Sequence, residues 1–231
     1  MRPHCENDQT YDYMPGGIWI EGDSATPRGT SFCEVEYTGT YYMMTAAHLF
    51  GTTEPCDGHD IPGPADQYDR DLGYLEGYHT EYDLAFCSAS ENGIELYDYI
   101  YGEDSQWPVK GYETERKISD RVVTTYDSYT QMGTSTGIKE GYIRAKDRSN
   151  DECPTFNDEA VVGSCGGADG DSGGPAFSVN KDGEAKLIYM HSYSANGDTD
   201  TYNDCGNEYV SDDTMGTAAY RINDVGYKIG T

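Results

Sequence analysis

Ser172 stands in the run Gly170-Asp171-Ser172-Gly173-Gly174-Pro175, a serine set in a bend of glycines. Glycine adopts positive φ without steric cost and leaves room for a carbonyl to approach the main chain. Backbone N–H groups in such a bend converge where a negative oxygen develops, so the pattern fits a hydroxyl nucleophile with its oxyanion hole. A hydroxyl nucleophile needs a base. His48 follows Thr40-Tyr41-Tyr42-Met43-Met44-Thr45-Ala46-Ala47, a β-branched and aromatic run that turns small, which reads as a buried strand delivering an imidazole with space beside Nε2. Taken alone such a histidine is more often a hydrogen-bonded core residue; the serine bend is what turns the reading toward catalysis. A base of this kind needs a buried carboxylate to fix its tautomer. Asp83, in Tyr82-Asp83-Leu84-Ala85-Phe86-Cys87, is the acid best embedded in apolar sequence, whereas its competitor Asp71 has the glycine and charged neighbours of a loop.

Two other chemistries compete for the serine bend. G-x-S-x-G also marks the strand-to-helix nucleophile turn of α/β-hydrolases, but there the acid and histidine follow the serine, and the chain after Ser172 is too short for the rest of a parallel sheet. A calcium loop on Asp169 and Asp171 needs a bidentate acid at its twelfth position, where Asn180 stands, and Gly173 and Pro175 supply no side-chain oxygen. No C-x2-C spacing occurs, which argues against a cysteine metal site, and hydrolysis by a serine nucleophile with a histidine base uses no cofactor, so none is expected.

The elements that must carry these residues read as short strands: Gly17 to Ile20, Ser31 to Tyr37, Thr40 to Thr45, Leu84 to Ser88, Val122 to Tyr126, Gly141 to Ala145, Pro175 to Val179 and Leu187 to Ser192. Turn residues separate them, the signature of an all-β chain. Residues 51–81, rich in Pro, Gly and Asp, read as long acidic loops, and 102–120 as a connection between two units. A short C-terminal helix fits Ala219, Ile222 and Val225 on one face.

The chain has 231 residues, enough to bury a core, with 42 acids against 15 bases and a net charge of -27. Such a field opposes nucleic acid and anionic membranes as partners. It also opposes folding in dilute buffer and is relieved at molar salt, where the screening length falls to about 3 Å, so the composition reads as adapted to high salt. Apolar runs stay short of a membrane span. Seven cysteines favour an oxidising compartment, so a secreted protein is expected whose signal and pro-segment are absent from this sequence.

In the order His48, Asp83, Ser172, these motifs resemble the chymotrypsin-like serine peptidases, closest to the bacterial streptogrisin-like branch. Phe32-Cys33, Gly39-Thr40-Tyr41-Tyr42 and Thr45-Ala46-Ala47-His48 are similar to that branch's first cysteine and histidine strands. Gly133-Thr134-Ser135-Thr136-Gly137 with Gly141-Tyr142-Ile143 resembles its second-barrel hairpin, and Cys165 to Gly174 its cysteine-to-serine loop. The resemblance implies two six-stranded antiparallel Greek-key β-barrels with the active site in the cleft between them. Its divisions are an N-terminal arm (1–15), a first barrel (16–101) with His48 and Asp83, a linker (102–120), and a second barrel with the C-terminal segment (121–231). It implies a monomeric serine endopeptidase acting on proteins or peptides; the alternative is a peptidase-fold binding module that has lost activity.

The resemblance further implies a specificity pocket walled by Gly166 to Asp169 and by His191, Ser192, Tyr193 and Ser194. Glycine at its base argues against Lys or Arg at P1, while His191 and Ser194 stand where glutamate-preferring relatives carry a histidine and a hydroxyl. Implied bridges are Cys165 with Cys205, Cys33 with Cys56 around His48, and Cys5 with Cys153, leaving Cys87 buried and reduced. One departure is plain: the cysteine that follows the histidine in the family is Leu49 here.

Overall fold

Runs of Tyr, Val, Ile and Thr broken by Gly, Asp and Pro favour extended backbone with frequent turns. The computed structural model follows that pattern; it describes residues 13–21, 28–50, 64–67, 70–88, 95–102, 105–124, 127–148, 160–168, 170–195 and 213–230. In chain order its strands are β1 (Tyr13–Gly16), β2 (Trp19–Glu21), β3 (Arg28–Thr30), β4 (Glu34–Tyr37), β5 (Thr40–Ala46), β6 (Pro64–Gln67), β7 (Arg70–His79), β8 (Leu84–Ser88) and β9 (Glu95–Gly102). There follow β10 (Ser105–Tyr112), β11 (Tyr129–Gly133), β12 (Gly137–Gly141), β13 (Ile143–Arg148), β14 (Ala160–Gly163), β15 (Pro175–Val179), β16 (Ala185–Ala195), β17 (Asp213–Ala218) and β18 (Lys228–Ile229). Two α-helices are described, α1 (Glu115–Val123) and α2 (Ala219–Asp224).

The strands form two sheets. One has eight strands in the order β18-β4-β5-β8-β7-β6-β2-β3; the other has ten, running β1-β9-β10-β16-β15-β11-β12, with β17 beside β16 and then β14 and β13. The expectation of a mostly-β chain holds; the six-stranded barrel counts and Greek-key order are not confirmed, and no closed barrel is found among the described residues. β10 is one reason. Ser105 to Pro108 run antiparallel to β9, while Val109 and Tyr112 pair parallel with β16, so one strand splices two ladders into a continuous sheet.

Local sequence explains other departures. Residues 64–67 and 70–79, expected as loop, are β6 and β7, because Leu75 pairs with Cys87 and a side chain on Gly77 would strike the Phe86 ring that covers it. The strand expected over Val122 to Tyr126 is instead, as far as Val123, the end of α1, started by Thr114 accepting a hydrogen bond from Lys117 N at 3.4 Å and anchored by buried Ile118. The expected C-terminal helix is α2, which buries Ala219, Tyr220 and Ile222.

Packing joins the sheets. Met43, Met44 and Leu84 from the eight-stranded sheet, with Leu49 in the turn after β5, share one core with Phe177, Leu187 and Met190 of the other. Each such buried side chain contributes about 1.5–3 kcal/mol. A second cluster, with Tyr129, Val161, Ile188 and Tyr189, fills the far side of the ten-stranded sheet. At the C-terminus β18 crosses back to pair with β4.

Candidate active site

β5 and β8 run antiparallel with Ala46 opposite Leu84. That register sets the turn after β5 against the residue before β8, and these carry His48 and Asp83. The Asp83 carboxylate accepts twice from His48: Oδ1 from its backbone N–H at 2.9 Å, and Oδ2 from Nδ1 at 2.7 Å. Asp83 O accepts from Ala47 N at 3.0 Å. Asp83 is 2% exposed and holds φ +51°, a left-handed conformation uncommon outside glycine, so its backbone is bent to present both oxygens to one residue. Thr217 Oγ1, reaching from β17 of the other sheet, donates to the Tyr82 carbonyl at 2.5 Å and steadies this bend from behind.

Ser172 lies in the turn before β15, and its carbonyl accepts from Thr30 N at 2.7 Å. Gly173 N donates to His191 O at 2.7 Å, and His191 N returns a bond to Gly174 O at 2.9 Å. Gly173 has φ +89° and presses so closely on Thr30 O and the Thr45 hydroxyl that no Cβ fits there. The same hypothetical Cβ would stand 3.2 Å from Ala46 N, so the serine turn seats on the end of β5 that delivers His48. Ser172 Oγ points to Ser192 O at 3.4 Å. Gly170 has φ +99°, as the bend requires.

Asp171, read from sequence only as a rival calcium ligand, is instead the fully buried anchor of the turn. Its Oδ1 accepts from Ser135 N at 2.9 Å and Thr136 N at 3.1 Å; its Oδ2 accepts from Thr136 Oγ1 at 2.7 Å and Ala168 N at 3.0 Å. Burial pushes its carboxyl above the usual range although those donors pull the other way. The hairpin Gly133-Thr134-Ser135-Thr136-Gly137 is therefore part of the site. Its signal in the sequence was its small-and-hydroxyl composition, since only a side-chain-free Gly133 leaves room for the Asp171 carboxylate.

Beyond the serine, His191 on β16 is 1% exposed, and its Nε2 lies 3.4 Å from Ser194 Oγ. Its Nδ1 and the Ser192 hydroxyl are buried without a partner among the described residues. Burial first, and then the nearby His48, lower the His191 pKa to about 3, so the ring is neutral at neutral pH. Gly167 lets the main chain lie close against this pair: a Cβ there would strike Ser194 Oγ and come within 3.2 Å of His191 Cε1 and 2.9 Å of Thr214 Cγ2. Tyr193, half-buried, packs on Met215. Asp169 lies outside the described residues.

Cys33, Cys87 and Cys165 are buried and free; Cys5, Cys56, Cys153 and Cys205 lie outside the described residues. The bridges expected at Cys33 and Cys165 are thus not formed in this structure. Cys33 points into the apolar core at 1% exposure, and Cys165 is engaged with the Tyr129 hydroxyl. Beside His48 an apolar contact stands instead, with Leu49 so tightly over Gly29 that a Cβ on Gly29 would strike it. No group of three metal-ligating side chains occurs among the described residues, and no described helix is long and apolar enough to cross a membrane.

No family model matches the chain. One curated protein, tRNA pseudouridine synthase B of Lactiplantibacillus plantarum, is 31% identical over 106 residues, 43% of this chain; the chain spans about a third of that protein, 33% of its length. Solved structures match over nearly the whole chain. A glutamic acid-specific serine protease described as using a histidine triad in substrate binding is 16% identical, covering 94% of this chain and 100% of that one with a TM-score of 0.66. Nocardiopsis protease (16% identity, 94% and 98% coverage, TM-score 0.63) and Cellulomonas bogoriensis chymotrypsin (17%, 94% and 98%, 0.63) match similarly. The chain thus shares the chymotrypsin-like fold of bacterial serine proteases.

Proposed function

We propose that the chain is a serine endopeptidase that works through an acyl-enzyme. The observation that carries the reading is the double hydrogen bond from His48 to buried Asp83, at the strand end on which the glycine turn of Ser172 is seated. Ser172 Oγ attacks the scissile carbonyl while His48 takes its proton, and the N–H groups of Gly170 and Ser172 receive the new oxyanion. Collapse of the tetrahedral species breaks the peptide C–N bond, and the leaving amine takes the proton back from His48. Water then repeats the sequence on the acyl ester and frees the acid. Asp83 holds the imidazole in one tautomer and stabilises its charged form.

For P1 we propose glutamate. Ser194 Oγ and a neutral His191 lie together beside Gly167, and hydrogen bonds to a carboxylate are roughly twice as strong as neutral ones. Ser192 and Tyr193 supply the strand edge for the substrate backbone. Neither ring nitrogen of His191 bonds to a second histidine among the described residues; the partner of its Nε2 there is Ser194 Oγ. The -27 charge supports an enzyme that works at high salt on peptide substrates and not on nucleic acid.

The test is labelling by a fluorophosphonate probe and cleavage of a peptide library at molar NaCl. Wild type is expected to label at Ser172 and to cleave after Glu in preference to Phe, Leu or Arg; Ser172→Ala is expected to abolish both labelling and cleavage. Undiminished labelling of Ser172→Ala would place the nucleophile elsewhere. A Glu preference that survives His191→Val would make that histidine structural.

A further inference from the structure

We infer that Thr30 is a positioning residue for the oxyanion donors, acting through the carbonyl of Gly170; the inference rests on the proposed role of Gly170 and Ser172. Thr30 closes β3 in the eight-stranded sheet and is fully buried. Its hydroxyl donates to Gly170 O at 2.8 Å, and Thr134 Oγ1, in the β11–β12 turn, donates to the same oxygen at 2.9 Å. Thr134 N donates to Thr30 Oγ1 at 3.1 Å, which fixes the direction in which the Thr30 hydroxyl must point. A carbonyl oxygen has two lone pairs, and both are taken.

What this accomplishes follows from the backbone. Gly170 sits at φ +99° with no side chain to restrain it, so the peptide plane between Gly170 and Asp171 is the part of the turn freest to rotate. Its N–H side is held by Asp171 N donating to Ala168 O at 3.0 Å; its C=O side is held by the two threonine hydroxyls. The two oxyanion donors lie immediately on either side of that plane, so its rotation would turn one away from the other.

Thr30 also fixes the far end of the turn. Its backbone N–H donates to Ser172 O at 2.7 Å, and its own carbonyl accepts from Thr45 Oγ1 at 2.8 Å on the strand that leads to His48. One residue of the eight-stranded sheet therefore grips the carbonyls of both Gly170 and Ser172 and ties them to the histidine strand. Aligning the oxyanion donors is worth more in the transition state than in the bound substrate, so loss of the grip is expected in kcat and not in KM.

The test compares Thr30→Val, which deletes the hydroxyl and keeps the shape, with Thr30→Ser, which restores it. Three quantities are read at molar salt: kcat and KM on a peptide substrate, the inhibition constant of a peptidyl boronic acid, and hydrogen exchange of the 168–174 amides. For Thr30→Val, kcat is expected to fall about 10–100-fold, less than the 10²–10³ of deleting an oxyanion donor outright, with the boronate weakened by the same factor and KM within about threefold. Exchange at the Asp171 amide should rise at least about tenfold, and Thr30→Ser should recover all three. A folded Thr30→Val with unchanged kcat and exchange overturns the inference, as does a kcat loss with boronate affinity intact. If Thr30→Val does not fold, Thr134→Val, which removes the other hydroxyl on the same oxygen, decides by the same criteria. If wild type neither labels with fluorophosphonate nor cleaves, the proposed function falls, and the exchange measurement alone still judges the grip.

Discussion

Asp83 and Asp171 are both buried carboxylates beside the serine turn, and their hydrogen bonds give them different work. Asp83 spends both oxygens on His48, whereas Asp171 spends four bonds on the backbone and hydroxyls of Ser135, Thr136 and Ala168. Asp83→Asn is therefore expected to lower kcat by about 10⁴ through the wrong imidazole tautomer, with the melting temperature nearly unchanged. Asp171→Asn presents an amide donor to groups that are themselves donors, so it is expected to cost about 1–3 kcal/mol of stability, read from denaturant unfolding. If the two effects were exchanged, the assignment of these acids would be reversed. Asp83 was legible in the sequence because its surroundings are local: an apolar strand follows it directly. Asp171 was not, because two of its partners are 35 and 36 residues away in a hairpin that nothing in its own neighbourhood announces.

At the scale of elements, the strands that position the site were read closely where local pattern and burial agree, as in β5, β8 and β15. The failures share a cause: long-range pairing overrode composition. β7 forms in a Gly- and Asp-rich stretch because β8 supplies a partner, and β10 forms within a polar connection because β9 and β16 do. Helix α1 is held by a contact that sequence could not disclose. Glu113, 1% exposed just before it, accepts from Arg121 Nε at 2.7 Å and Nη2 at 2.6 Å, and from Ser178 Oγ at 2.6 Å on β15. Burial alone would raise the Glu113 carboxyl, but those hydrogen bonds and the Arg121 charge hold it below the usual range. A depressed carboxyl stabilises the fold fully above its ordinary value of about 4.3, and that contribution is lost as pH falls through the folded-state value. Glu113→Gln is accordingly expected to cost up to about 3–5 kcal/mol at neutral pH, since it leaves the Arg121 charge with only the Asp127 and Ser128 carbonyls and a neutral amide. Equilibrium unfolding from pH 7 to pH 3 should show the wild-type advantage over Glu113→Gln shrinking at the acid end. An advantage that grows on acidification would contradict the ion pair's role.

At the scale of the molecule, 42 acids and 15 bases leave most carboxylates without a cation to meet. The described ion pairs underline the shortage: Lys146 serves both Glu115 and Asp147, while Arg121 and Lys228 are committed to Glu113 and Glu36. Of these, the exposed pairs of Lys146 and Lys228 contribute only about 0–1 kcal/mol each, too little to offset a net charge of -27. The repulsion should be felt most where the sheets meet, because short hydrogen bonds such as Thr30 N to Ser172 O and Thr217 Oγ1 to Tyr82 O cross there and hold the serine turn to the histidine strand. The screening length is about 10 Å at 0.1 M salt and about 3 Å at 1 M, so repulsion between neighbouring acids about 3–10 Å apart is substantially relieved only toward molar concentrations. The melting temperature by circular dichroism and the rate of peptide cleavage are therefore expected to rise together from 0.1 M to molar NaCl or KCl. Matching the two salts separates screening from specific ion binding, since screening alone predicts superimposable curves. A melting temperature that stays flat from 0.1 M upward would show that the acidic surface is no adaptation to salt, and the charge would then need an explanation outside folding stability.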